Sequence, residues 1–247
     1  MFIKSAREIE SMRAAGKIVA ETLEKIKEVI KPGITTKELD LIAEEHIRNN
    51  HGIPAFLGYN GYPASICASV NEEVVHGIPS QRMLKDGDIV SIDIGAFYNG
   101  YCGDAARTFE VGNVSHKAKR LIKITEESFF MGIVMAVEGK RLQDISHAIQ
   151  THVESNGYSV VRALVGHGIG KNMHEEPQVP NYGAPGKGPR LMEGVTLAIE
   201  PMVNEGRFHV KTLSDGWTVI TSDGSLSAHY ENTIVITANE PEILTMV

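Results

Sequence analysis

The chain has 247 residues, a formal charge of -7 and 42% hydrophobic residues, which is the composition of a globular protein long enough to bury a substantial core. The negative balance, with no Lys/Arg cluster to offset it, argues against a nucleic-acid backbone as partner. Two cysteines, Cys67 and Cys102, are too few for a disulfide framework and wrongly spaced for a zinc ribbon; MFIKSAREIE lacks a signal peptide's apolar run and no stretch approaches the ~18 apolar residues of a membrane span, so a cytoplasmic protein is expected.

Ser5 with Glu8 forms a capping box, and Ile9, Met12, Gly16, Val19, Leu23, Ile26 and Ile30 recur at spacings of three and four. This predicts a long amphipathic helix, which Lys31-Pro32-Gly33 stops. Thr35 with Glu38 opens a second helix, faced by Leu39, Ala43, His46 and Ile47, that ends at Asn50 to Gly52. FLGYNGY, from Phe56 to Tyr62, reads as a loop, Ala64 to Val70 as a strand, and EEVVHGIP runs from Glu72 to Pro79.

The stretch DIVSIDIGAFYNGYCGD, Asp88 to Asp104, is the centre of the chain. Ile89, Val90, Ile92 and Ile94 make a buried strand that carries Asp93 into or beside a core, where an unpaired carboxylate is costly. Asn99, Gly100 and Gly103 then turn the chain, so that Asp104 opens a second strand, Ala105 to Val111, beside Asp93. Two readings stay open at this point. Asp104 caps the turn while Asp93 pairs with an arginine such as Arg107, or both acids flank a cation.

Past Gly112 the same order returns: a helix from Ser115 to about Val137, a break at Glu138-Gly139, and a helix from Leu142 to Ser155. Laying Gly139 on Gly33 pairs Leu39 with Ile145, Ala43 with Ile149, His46 with His152 and Asn50 with Asn156. One residue further in offset, LKDGDIVSID lies on LMEGVTLAIE and Asp93 on Glu200. Two helix-helix-strands units, each too small to bury its own sheet, are expected to share one sheet or core. The expected fold class is α+β, one domain over 1–247 with pseudo-twofold halves of about 1–112 and 113–247, in which Asp93 and Glu200 approach the axis from opposite sides.

In the second half an apolar strand, Val161 to Val165, runs into Gly166-His167-Gly168-Ile169-Gly170, whose glycines allow close backbone approach around one imidazole. It is not a phosphate loop, because it ends Gly170-Lys171-Asn172. MHEEPQ, from Met173 to Gln178, is no zinc-protease helix either, since Pro177 forbids the helix and Gln178 stands for the second histidine. LAIEP ends a strand on Glu200, and AHYENTIVI, from Ala228 to Ile236, opens one on Glu231.

Singly, each of these acids reads as a satisfied strand-end carboxylate. Jointly, Asp93, Asp104, Glu200 and Glu231 bring four negative charges near one axis, which two divalent cations would neutralise. Oxygen-rich ligation with the single imidazole of His167 suits Mn, Fe or Co and admits Zn. Two metals about 3.5 to 4 Å apart form the clamp used in aminopeptidases and phosphoesterases.

Asp93, Asp104, His167, Glu200 and Glu231, with GHGIG followed by HEEP, resemble the methionine aminopeptidases of the short bacterial type I, and the likeness covers nearly the whole chain. The resemblance implies the pita-bread (creatinase/aminopeptidase-like) fold and a single catalytic domain. It implies removal of the initiator methionine before a small second residue, by a hydroxide activated on two divalent ions (Co, Mn, Fe or Zn). Asp93 would chelate one ion and His167 with Glu200 the other, Asp104 and Glu231 would bridge, and Glu200 would also shuttle the proton. His76 and His174 would hydrogen-bond the scissile amide and the tetrahedral intermediate. The methionine pocket would fall on Tyr59, Tyr62, Cys67, Met173 and Trp217, with Phe56 nearby, and rings with soft sulfur suit a thioether. Met173 stands where an aromatic is common in the family, and Phe56 where a cysteine can occur. The Cys-rich extension of eukaryotic type-one members and the type-two insertion are lacking. The implied partners are N-terminal-methionine peptides and nascent chains, with ribosome association left open, and the implied state is a monomer without membrane or nucleic-acid contacts.

Three rivals remain at this stage. A proline dipeptidase shares all five ligand types, but such enzymes carry a further N-terminal domain that 247 residues leave no room for. A silent binding protein of this fold would usually lose ligands, and none is lost. A two-metal phosphoesterase would need a cationic phosphate clamp, which the stretches around the ligands lack.

Overall fold

Local sequence signals set the two helical pairs. In the computed structural model, which describes residues 2–246, α1 (Ala6–Val29) starts at the Ser5–Glu8 capping box and α2 (Thr36–Asn49) at a second one, Thr35–Glu38. The strands of the first half are β1 (Ile53–Pro54), β2 (Cys67–Val70), β3 (Glu73–Val75), β4 (Ile89–Tyr98) and β5 (Tyr101–Glu110). The second half opens with α3 (His116–Ile133), capped by the Ser115 hydroxyl, and α4 (Leu142–Ser155). Its strands are β6 (Ser159–Val160), β7 (Gly166–Gly168), β8 (Glu175–Val179), β9 (Thr196–Ile199), β10 (Met202–Asn204), β11 (Val210–Thr212), β12 (Val219–Thr221), β13 (Ser227–His229), β14 (Asn232–Val235) and β15 (Glu242–Ile243). Among the described residues no helix is long and apolar enough to cross a membrane.

The hairpin β4–β5 is paired along its whole length, from Ile89 opposite Glu110 to Tyr98 opposite Tyr101, while β1 and β2 share the other edge of β4. The counterpart in the second half is broken. There β9 pairs with β14 and β10 with β13, leaving Glu200-Pro201 facing Tyr230-Glu231 between the two ladders. Proline has no N–H to give to a ladder, which is one reason for the break at Pro201. The chain between β10 and β13 contributes β11 and β12, and β12 pairs with β3 of the first half.

Each half has a large core of its own, and the halves also share apolar packing, as expected: Met12, Tyr62 and Cys67 cluster with Ile169, Met173 and Val235, and Val74 and Val75 with Val161, Met202 and Val219. Leu23, Ile26, Leu39, Ile47, Val90 and Ile92 cluster in the first half, and Leu121, Phe129, Ile145, Ile149, Leu197 and Ile234 in the second. The reason is that α1 lies on β4 and β5, and α3 against α4, β10 and β13, so each helical stripe finds a sheet of its own half. The halves meet along β5 and β14. The Glu231 N–H donates to the Ala106 carbonyl at 2.9 Å and the Ala106 N–H returns to the Glu231 carbonyl at 3.3 Å. The Thr233 hydroxyl donates to the Asp104 carbonyl and accepts from the Asp104 N–H, both at 3.0 Å.

Several expected boundaries move. The hairpin turn is Asn99-Gly100 alone, with φ of 49° and 79°, as a two-residue type I′ turn requires. Gly103 sits inside β5, where a Cβ would lie 2.8 Å from the Gly16 nitrogen of α1, so that glycine serves the close approach of a helix. Asp104 is therefore in mid-strand and does not open one. The strand expected from Ala64 begins at Cys67, and α3 stops at Ile133, short of Val137. Val161 to Val165 lies between β6 and β7 and is not a strand; Arg162 there stacks 4.3 Å over the Phe208 ring. Ala228 to Ile236 divides into β13 and β14, with Glu231 in the gap.

Candidate active site

Asp93 stands opposite Ala106 and Asp104 opposite Gly95, so the two acids are diagonal neighbours on one face of the first hairpin. Glu200 and Glu231 occupy the gap in the second hairpin and face them. His167 comes from β7, opposite Ala198 of β9, and its Nε2 lies 3.6 Å from Glu200 Oε1. The Nδ1–H of His167 donates to the Gly168 carbonyl at 2.9 Å, which leaves the Nε2 lone pair turned toward the acids.

Asp104, Glu231 and His167 are 4%, 2% and 8% exposed. Burial, followed by repulsion from the neighbouring acids, holds the Asp104, Glu200 and Glu231 carboxyls well above the usual carboxylate range. Burial pushes Asp93 up to about 7, against hydrogen bonds that favour its charged form. His167 is pushed down to about 4, by burial first and then by His174, so it stays neutral, the form a metal ligand needs.

Asp93 Oδ1, Asp104 Oδ1 and Glu231 Oε1 are buried without a hydrogen-bond partner. Such oxygens are costly unless a cation satisfies them. Ligand atoms of Asp104, His167 and Glu231 lie within 4.8 Å of one another, and so do those of Asp93, His229 and Glu231. The donor set fits divalent cations. The alternative pairing of Asp93 with Arg107 is excluded, because Arg107 donates to the Ala106 and Glu231 carbonyls and to Asn232 Oδ1, and stacks 4.1 Å over Tyr230.

Above the acids opens a cavity of about 240 Å³, lined by Phe56, Tyr59, Tyr62, Cys67, His76, Met173, His174 and Trp217 together with the four acids and His167. Every residue named for the site from sequence reaches this one cavity. Tyr62 is locked by its hydroxyl, 3.1 and 3.0 Å from the Ile66 and Gly77 carbonyls, and meets Trp217 edge-on with ring centroids 5.1 Å apart. His174 lies with its ring centroid 4.2 Å from that of His167. His76 has a φ of 60°, a strained left-handed backbone for a residue other than glycine, of the kind that clusters at working sites.

One buried group escaped sequence reasoning. His229 is 2% exposed, has no partner at either ring nitrogen, and places Nε2 3.8 Å from Glu231 Oε2. The available signal was its position two residues before Glu231, which puts both on one face of an extended chain.

Residues 10–238 match the family described as Metallopeptidase family M24. A methionine aminopeptidase of Clostridium acetobutylicum is 61% identical over 247 residues, covering 100% of this chain and 99% of that protein. The chain belongs to the methionine aminopeptidases of metallopeptidase family M24. The crystal structure of a methionine aminopeptidase from Thermotoga maritima superposes with a TM-score of 0.99 at 50% identity, covering 100% of both chains. The α+β architecture with its paired halves is thus the pita-bread fold. A prolidase from Pyrococcus furiosus shares the fold alone, with a TM-score of 0.77 at 24% identity, and this chain covers 65% of it. Membership of this metallopeptidase family implies divalent metal, and the unpartnered carboxylate oxygens are the atoms fitted to hold it.

Proposed function

We propose that the chain removes N-terminal methionine from peptides and nascent proteins whose second residue is small, using two divalent ions held by Asp93, Asp104, His167, Glu200 and Glu231. The observation that carries this reading is the abutment of unpartnered buried oxygens on an apolar cavity of about 240 Å³. Bound divalent ions supply a nucleophile at neutral pH and positive charge for the oxyanion. Glu200, whose affinity for protons is raised by burial and by Asp93 and Asp104, takes a proton from the attacking water and returns it to the leaving amine.

His174 donates from Nε2 to the carbonyl oxygen as it gains charge, because Tyr59 occupies Nδ1 at 2.8 Å. His76 holds the scissile amide. The methionine side chain lies against Tyr62, Cys67, Met173 and Trp217, where ring faces and sulfur offer polarisable contacts. Tyr59 and His174, joined at 2.8 Å on the cavity wall, would narrow the space left for the second residue to that of Gly, Ala or Ser.

In the same reading the whole chain is one catalytic domain, acting as a cytoplasmic monomer on chains leaving the ribosome, with Co, Mn, Fe or Zn as the ion. Buried, unpaired Cys67 and Cys102 support a reducing compartment. Metal-loaded protein incubated with Met-Ala-Ser, Pro-x and x-Pro peptides should release methionine from the first alone. Cleavage of x-Pro peptides with Met-Ala-Ser left intact would overturn the proposal.

A further inference from the structure

We propose that Lys4 is a positioning residue for His174, acting through a buried ion pair with Glu175, the next residue in the chain. The inference rests on the role given to His174 above and adds the residue that sets its place.

Lys4 Nζ donates to Glu175 Oε2 at 2.6 Å, and the two side chains are 6% and 7% exposed. Among the described residues no other lysine or arginine ion pair has both side chains so deeply buried. Replacing a buried pair by apolar side chains is often neutral or stabilising, so stability alone is a poor reason for this one. Gly170 leaves it room. A Cβ there would lie 2.4 Å from Lys4 Cε and 2.7 Å from Glu175 Oε1.

Both partners are fixed to the frame. Ile3 pairs with Val195, the Lys4 N–H donates to the Gly194 carbonyl at 2.8 Å, and Ser5 then caps α1. Glu175 opens β8, and its Oε1 accepts from the Asn172 N–H at 3.3 Å. Between β7 and β8 the chain from Ile169 to His174 has no regular structure, so contacts at its two ends decide where His174 stands. Its start is held by the Cys102 N–H, 2.8 Å from the Gly170 carbonyl. Its end rests on Glu175. Consecutive side chains of an extended chain point opposite ways, so that Glu175 turns to Lys4 while His174 lines the cavity, where Tyr59 Oη meets its Nδ1 at 2.8 Å. Loss of the anchor frees the turn one residue from that ring, and a misplacement of about 1 Å can cost on the order of a hundredfold in rate.

The test compares wild type with Lys4→Met, and with Lys4→Met/Glu175→Gln, which leaves no unpaired buried charge, in the metal-loaded full chain. On Met-Ala-Ser, Lys4→Met should lower kcat at least about tenfold and change KM by less than about twofold. In a His174→Ala background the same substitution should cost less than about twofold, because the group it positions is gone. Nitrogen-15 NMR of the Zn-loaded protein reads the ring itself. His174 should show one fixed tautomer in wild type and averaged ring shifts in Lys4→Met. Equal losses in both backgrounds, or a fixed tautomer kept in the variant, overturn the positioning role. His174→Ala with wild-type kcat would instead remove the role of His174, while the tautomer signal still decides whether Lys4 places it. If Lys4→Met does not fold, the double variant carries the same readings, and failure of both to fold would make the pair a folding element and overturn the proposal.

Discussion

Tyr59 Oη lies 2.8 Å from His174 Nδ1, a bond across the cavity between a loop of the first half and the segment leading into β8 of the second. It occupies Nδ1 and leaves Nε2 as the ring nitrogen free for the proposed contact with the substrate carbonyl. His174→Ala should therefore lower kcat far more than it raises KM, by about 10² to 10³, the usual cost of one oxyanion donor. Tyr59→Phe should cost about fivefold in kcat/KM, in line with the ~1 kcal/mol of one hydrogen bond. Steady-state kinetics on Met-Ala-Ser checks both, and a folded, metal-loaded His174→Ala with near-wild-type kcat would remove His174 from the mechanism.

The proposed methionine pocket is built from side chains that brace one another. Trp217 packs edge-on against Tyr62, which hydrogen bonds to main-chain carbonyls hold in place. Trp217→Ala should raise KM for Met-Ala peptides with a smaller effect on kcat, because the lost contact is present in ground and transition states alike. In wild type, Met-Ala should be turned over faster than Met-Arg; equal rates, or a preference for N-terminal Leu over Met, would sink the pocket assignment.

Chelator should lower the melting temperature of wild type without abolishing cooperative unfolding, since the two largest apolar cores include none of Asp93, Asp104, His167, Glu200 and Glu231. An ion at about 100 times its Kd stabilises the native state by roughly 2.7 kcal/mol. In Asp104→Asn the metal-free protein should melt no lower than metal-free wild type, because a buried carboxyl whose ionised form is disfavoured by burial and by Glu231 and Asp93 gives way to a neutral amide. Its gain on adding Mn should shrink. An unchanged metal-induced shift would show that Asp104 does not ligate.

Without metal, the site should make stability depend on pH in a defined direction. Carboxyls whose folded pKa is raised, Asp93 to about 7 and Asp104, Glu200 and Glu231 well upward, contribute stability that is present at low pH and lost as pH rises through those values. Histidines whose pKa is depressed, His167 to about 4 and His229 to about 3, contribute stability that is present above the ordinary 6.5 and lost as pH falls. The two trends oppose each other between about pH 4 and 6.5, and only the carboxyls still titrate above that. Melting temperature of the metal-free protein should fall from pH 6.5 to 8.5, and bound Mn should flatten that fall by keeping the ligands ionised. A metal-free melt that rises over this range would contradict the assigned directions.

Gly103→Ala should destabilise the fold although the residue lies outside the site. Its Cβ would sit 2.8 Å from the Gly16 nitrogen and 2.9 Å from the Gly16 Cα, and neither helix backbone nor strand can yield cheaply. Overpacking of this kind costs about 1–3 kcal/mol. Denaturant unfolding measures it, and a variant as stable as wild type would mean that α1 slides on β5.

Capping boxes at Ser5 and Thr35, the apolar stripes of the helices and the breaks at Gly33 and Gly139 were legible in sequence, because a helix is decided by neighbours three and four residues away. So was the grouping of Asp93, Asp104, His167, Glu200 and Glu231 about one cavity, since each is a polar interruption in an apolar run and the internal repeat aligns Asp93 with Glu200. Strand limits and packing were not legible. Gly103 reads as a turn residue until α1 is laid across it, and the break that separates β13 from β14 depends on Pro201 of the facing strand. His229 reads as a core histidine until the seam places it against Asp93 and Glu231 with no partner for its ring. Pairing across a sheet joins residues far apart in the chain, and only the assembled halves decide which polar groups are left without partners.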